Sequence, residues 1–161
     1  MTPAPPLSFR RGEPGKSVLE GVLDEQAAPV LAELSAQLSS AASIELDVGG
    51  VRRINSLGVR AWVDFMRTLG ERPITFRRCS PSFVDQLNTV SDFRGHARIE
   101  SFLAPYVCES SWNVFFEELT VGKDVSAGNF AGIDGRPCKE CPEPLVFDDL
   151  PERFLQFLSF D

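Results

Sequence analysis

The chain has 161 residues and 17.8 kDa, which suits one compact domain or a smaller domain with an appendage. Its 43% hydrophobic and 24% charged residues are ordinary for a globular protein and too apolar for a disordered chain. A net charge of −7 would be repelled by a phosphate backbone, so nucleic acid is not an expected partner, and no apolar run approaches the roughly 20 residues that span a bilayer. The first six residues (Met1-Thr2-Pro3-Ala4-Pro5-Pro6) lack the basic start and apolar core of a signal peptide, so the expected location is the cytoplasm.

Charge divides the chain. Residues 1–105 carry 12 basic and 12 acidic side chains, whereas residues 106–161 carry 4 and 11 and supply the whole negative excess. Cys108, Cys138 and Cys141 also fall in the acidic part, and only Cys79 lies outside it. The expected organisation is an N-terminal segment over 1–16 (flexible or a first strand), a main domain over 17–105, and a small cysteine-containing module over 106–161 that ends in a helix.

Residues 17–23 read as a strand. Asp24 is placed to cap a helix in which Ala27, Leu31, Leu34 and Leu38 recur at helical spacing. Residues 43–48 alternate strictly, with Ile44, Leu46 and Val48 on one side and Glu45 and Asp47 on the other, and Gly49-Gly50 is expected to end that strand. Residues 51–55 lead into a helix of about four turns whose apolar stripe is Val59, Trp62, Val63, Met66 and Leu69. Arg60, Asp64, Arg67 and Glu71 lie on its other side, at spacings that favour ion pairs. Gly70 and Pro73 stop it. Residues 74–78 form the next strand, and Ser80-Pro81 is a cap followed by a first-turn proline, opening a helix with Phe83, Val84, Leu87 and Val90. A last strand is expected over 97–107. Strands alternating with helices predict an α/β fold, a mixed sheet with helices packed on it.

The segment Ile54-Asn55-Ser56-Leu57-Gly58-Val59 resembles the STAS domain, the family of bacterial anti-sigma-factor antagonists and cytoplasmic sulfate-transporter domains. Members have a strand, then Asp-Ser-Ser-Gly and an apolar residue opening a helix. Aligned on the glycine, Asn55 takes the Asp position, Ser56 the first serine and Leu57 the second. The order of elements over residues 17–105 also fits. In partner-switching members the second serine is phosphorylated by a kinase that is also the anti-sigma factor. Leu57 has no hydroxyl to accept a phosphoryl group. The resemblance therefore implies a signalling or scaffold protein that binds an anti-sigma factor or a histidine-kinase-like ATPase without that control. The expected partner-binding residues are Asn55, Ser56, Leu57, Gly58, Arg60 and Arg67, with Arg52 and Arg53 adding positive charge beside free backbone N–H groups at a helix start. The plain alternative is that Ser56 caps the helix and the arginines are a solvated face. Since some STAS domains sit in transport complexes, an accessory transport subunit is a further alternative.

Cys138-Lys139-Glu140-Cys141 has the spacing that lets two thiolates of one tight turn share a zinc ion. Cys108-Glu109-Ser110-Ser111 stands where the matching pair of a zinc ribbon would be, with Ser111 at the second ligand position. Residues 112–121 read as a ribbon strand. Three readings remain open: a three-cysteine zinc site on Cys108, Cys138 and Cys141, a metal-free relic built on the seven of 13 Phe found here, and a redox pair. A zinc or thiol sensor is thus a second functional class. Asp149 and Pro151 open the terminal helix, whose stripe is Leu150, Phe154, Phe157 and Leu158 with Leu155 and Phe160 in excess. Such a helix packs on its own domain or docks a partner or a second copy of the chain. No nucleotide-binding or nucleophile motif is present, and His96 is the only histidine, so no enzymatic activity is expected.

Overall fold

The computed structural model describes residues 2–160. β1 (Ser8–Arg11) and β2 (Lys16–Leu23) pair antiparallel, and β3 (Ile44–Ile54), β4 (Ile74–Arg77) and β5 (Arg98–Ile99) follow β2 in a parallel ladder, in the order β1-β2-β3-β4-β5. The crossovers are α1 (Ala27–Gln37), α2 (Ser56–Thr68) and the pair α3 (Pro81–Thr89) and α4 (Ser91–Arg94). The protein is thus α/β, with a mixed sheet and packed helices.

Alternation in the strands decides which face the helices cover. Leu46, Val48 and Phe76 are buried, and Phe76 meets Trp62 of α2 and Phe83 of α3 at ring separations of 5.8 and 5.2 Å. Trp62 is at the centre of the core, stacked on Phe93 and donating its indole N–H to the Phe93 carbonyl at 2.9 Å. The opposite face carries the alternate residues, laced by Arg77 to Glu45 (3.2 Å) and Glu100 (2.6 Å) and by Arg78 to Asp47 (3.4 Å).

Several expectations are corrected. The Gly49-Gly50 pair does not end the strand at residue 48, because β3 continues through it to Ile54. Glycine is needed there for close approach: a Cβ on Gly50 would lie 2.6 Å from the Glu20 Cβ, beside an irregularity in the β2–β3 register. Asp24 does not cap α1. Its carboxylate accepts the Gln26 N–H at 2.9 Å and turns the chain three residues before the helix starts. The buried stripe of α2 includes Phe65, while Val59 and Val63 are only half-buried, because the helix packs against α1 as well as the sheet.

The expected strand over 97–107 is two strands in two sheets. After β5, β6 (Ser101–Val107) turns away to lie between β7 (Val114–Thr120) and β8 (Val146–Phe147) in an antiparallel sheet of order β7-β6-β8. The junction is at Cys79, whose N–H donates to the Ser101 carbonyl (3.1 Å) and whose carbonyl accepts the Leu103 N–H (2.8 Å). Residue 105 therefore lies inside β6. The terminal helix is a single turn, α5 (Pro151–Phe154), followed by a 3-10 turn (Gln156–Phe160). Asp149 accepts the Leu150 N–H at 2.6 Å, and Leu150, expected in the apolar stripe, is exposed. Phe154 and Phe157 pack on Phe102, and Asn88 of α3 donates to the Phe154 carbonyl at 3.0 Å, so the tail packs on its own chain. No helix among the described residues is long and apolar enough to cross a membrane.

Candidate partner-binding surface and metal centre

β3 delivers the chain to the start of α2 at the carboxyl end of the parallel strands, where open α/β sheets place their binding crevices. Asn55 is extended (φ −105°, ψ 177°), and its side-chain oxygen accepts the Gly58 N–H at 2.9 Å. Asn55 is therefore the cap, and Ser56, the alternative cap, is the first helical residue. The Asn55 amide also donates to Glu25 at 3.0 Å. The Glu25 carboxyl is held below its usual value, first by its own backbone N–H and then by this amide. Gly58 sets how closely α2 approaches the end of β2, since a Cβ there would lie 1.9 Å from the Leu23 carbonyl oxygen.

With the cap fixed this way, Ser56, Leu57 and Arg60 face solvent, and Leu57 is 54% exposed. Arg67 lies further along the same helix, about 10 Å from Arg60 at 1.5 Å per residue, and pairs with Asp64 (3.3 Å) and Asp92 (3.8 Å). The surface is less uniformly positive than its arginines imply. A cleft of about 360 Å³ beside the cap brings Arg53 and Asn55 together with Asp24, Glu25 and Asp85.

The second site is formed by chain segments far apart in sequence. The sulfurs of Cys108, Cys138 and Cys141 all lie within 4.8 Å of one another, and those of Cys108 and Cys141 are 3.6 Å apart. Thiolates about 2.3 Å from a shared tetrahedral ion sit roughly 3.8 Å from each other. The three cysteines are thus close enough to hold a metal ion. The Glu140 N–H donates to the Cys138 sulfur at 3.4 Å, the kind of bond that orients a ligand. Hydrogen bonds from Ser111, its hydroxyl first and its backbone N–H next, lower the Cys108 thiol to about 6, while burial pushes Cys141 up.

Ser111 stands beside Cys108, and its hydroxyl donates to the Glu140 carboxylate at 2.6 Å. Asn113 holds the same carboxylate at 3.0 Å. The Cys-x2-Cys spacing could not reveal these two supports, because they come from the turn between β6 and β7. Cys79 is fully buried and its thiol is pushed up by that burial. His96 is exposed, with Nε2 2.8 Å from the Arg72 carbonyl oxygen. Comparison of the chain with protein-family models, with curated proteins and with solved structures gives no match.

Proposed function

We propose that this chain is a non-enzymatic bacterial signalling or scaffold protein, STAS-like over residues 17–105, that docks a regulatory partner on the start of α2. The observation that carries the reading is Leu57. It is an apolar side chain 54% exposed on the first turn of a capped helix, next to the exposed Arg60. An apolar anchor with a basic rim is how protein interfaces are commonly built. The succession of strand, Asn55 cap, close-packed Gly58 and helix supports the STAS-like reading. The partner class that follows is an anti-sigma factor or a histidine-kinase-like ATPase, bound by Asn55, Ser56, Leu57, Gly58, Arg60 and Arg67 without phosphorylation of residue 57. A pull-down from the native cell with the full chain tests this. Capture of a kinase-like ATPase or anti-sigma factor by the wild type, lost with Arg60→Glu/Arg67→Glu, is the expected result. Binding that is indifferent to that double variant overturns it.

The sulfur cluster supports a second component: Cys108, Cys138 and Cys141 bind zinc, the ion best matched to several thiolates in a small cytoplasmic module. Bound zinc would supply a structural cross-link between the end of β6 and the 138–141 turn. If metal level rather than partner binding is what the protein reads, it is a zinc sensor. Native mass spectrometry separates these cases from a metal-free fold. One zinc per chain, lost with Cys138→Ser, is expected, and a folded native protein without metal ends the zinc reading.

A further inference from the structure

The turn holding Cys138 and Cys141 is the tip of a hairpin. Pro137 and Pro144 bridge its base, and the Leu145 N–H donates to the Arg136 carbonyl at 2.8 Å. Arg136 is itself anchored by an ion pair with Asp124 at 3.0 Å. The tip is also tied to the turn that follows β6. Both carboxylate oxygens of Glu140 are engaged, by the Ser111 hydroxyl at 2.6 Å and by the Asn113 amide at 3.0 and 3.1 Å. None of these bonds involves a sulfur, so the chain's own polar contacts hold Cys108 and the hairpin tip side by side.

Within that frame the sulfurs are not equivalent. Those of Cys108 and Cys141 are in contact at 3.6 Å, whereas the Cys138 sulfur accepts the Glu140 N–H at 3.4 Å. A disulfide is about 2.05 Å long, so closing the 3.6 Å gap takes an approach of about 1.5 Å. Such a bond would join two segments that Glu140 already holds together. Cys141 is half-buried and within reach of a small solute, while Cys79 is fully buried in the core.

We propose that Cys108 and Cys141 are a peroxide-reactive pair whose oxidation to a disulfide expels the metal from the loaded chain. A hydroperoxide transfers one oxygen to one of the two thiolates, its O–O bond breaking as that sulfur becomes a sulfenic acid and hydroxide leaves. The other thiolate attacks the sulfenic sulfur, its S–O bond breaks, and a second hydroxide leaves. The two sulfurs supply two electrons, and with two protons from solvent hydrogen peroxide ends as two water molecules. Cys138 is then the last of the three thiolates, too few to hold the ion. Metal release rests on the zinc reading above; formation of the disulfide does not.

Treating the full chain with one equivalent of hydrogen peroxide, with and without zinc loaded, tests this. Peptide mass mapping without reductant should find a Cys108–Cys141 disulfide, with Cys79 and Cys138 as free thiols, and dithiothreitol should reverse it. In the zinc-loaded arm a chromophoric chelator should report one zinc released per disulfide formed. Cys138→Ser keeps both partners and should form the bond as the wild type does, whereas Cys141→Ser should lower the disulfide yield about tenfold. A disulfide between Cys138 and Cys141, or loss of thiols to sulfinic acid with no disulfide, overturns the pair. An equal yield from Cys141→Ser does the same. A Cys108–Cys141 bond that forms while zinc stays bound overturns the release. A chain that forms the bond but never loads zinc overturns the zinc reading, and the release with it, while the reactive pair stands.

Discussion

Ser111 is one hydroxyl away from completing a four-thiolate site. Its side chain is the largest cause of the Cys108 thiol's descent to about 6. Ser111→Cys should therefore raise zinc affinity by about tenfold or more, read by competition with a chromophoric chelator. In the metal-free protein, thiolate absorbance near 240 nm should show a step close to pH 6 that Cys108→Ser removes. The folded state prefers the thiolate, whose ordinary value is 9.0, so this contribution to stability is full above pH 9 and fades as pH falls to 6. Tyr106 has the opposite sign. Burial pushes its hydroxyl to about 12 while it donates to the Ile133 carbonyl at 2.8 Å. Stability from this group is complete below pH 10 and is lost as pH rises through 12. As the only tyrosine, Tyr106 should titrate alone at 295 nm with a midpoint near 12, moving toward 10 on unfolding.

At the scale of elements, the sequence made most of the first sheet legible and misread several of its ends. Ser80-Pro81 opens α3 as its pattern predicts, with Ser80 accepting the Phe83 N–H at 3.2 Å. The start of α2 offered two adjacent residue types that cap helices equally well, and a long-range bond decides between them: the Asn55 N–H donates to the Leu23 carbonyl at 3.1 Å. Gly49-Gly50 read as a break because glycine's usual local meaning is a turn. Here it serves the neighbouring strand, whose side chain needs the space. Gly58 has the same kind of role. Gly58→Ala forces a methyl group into the Leu23 carbonyl and should cost about 2 kcal/mol or more, measured by urea unfolding. Asn55→Ala loses the cap and the exposed bond to Glu25 and should cost about 1 kcal/mol. A Gly58→Ala protein as stable as the wild type would show that α2 can move off β2 freely.

The whole molecule joins two sheets through one core, and this was the least legible level. β6 pairs with β8 about 40 residues later, and no local periodicity announces such a partner. The charge step near residue 105 marks an acidic surface, whereas burial runs straight across it. Phe102, on the N-terminal side of the step, is fully buried against Phe154 and Phe157 on the far side. Emptying one buried phenylalanine site costs about 3–5 kcal/mol, and a domain this size holds only about 5–15 kcal/mol in total. Removing residues 106–161 would take away both rings, β7, and the capping of the tail by Asn88. The chain ending at residue 105 should therefore show no cooperative melting transition by circular dichroism. The full chain should unfold in one transition, with equal calorimetric and van't Hoff enthalpies. Cooperative melting of the shortened chain near the full-length midpoint would mean that the five-stranded sheet and its helices stand alone, and that the contacts of Phe102 with the tail add little.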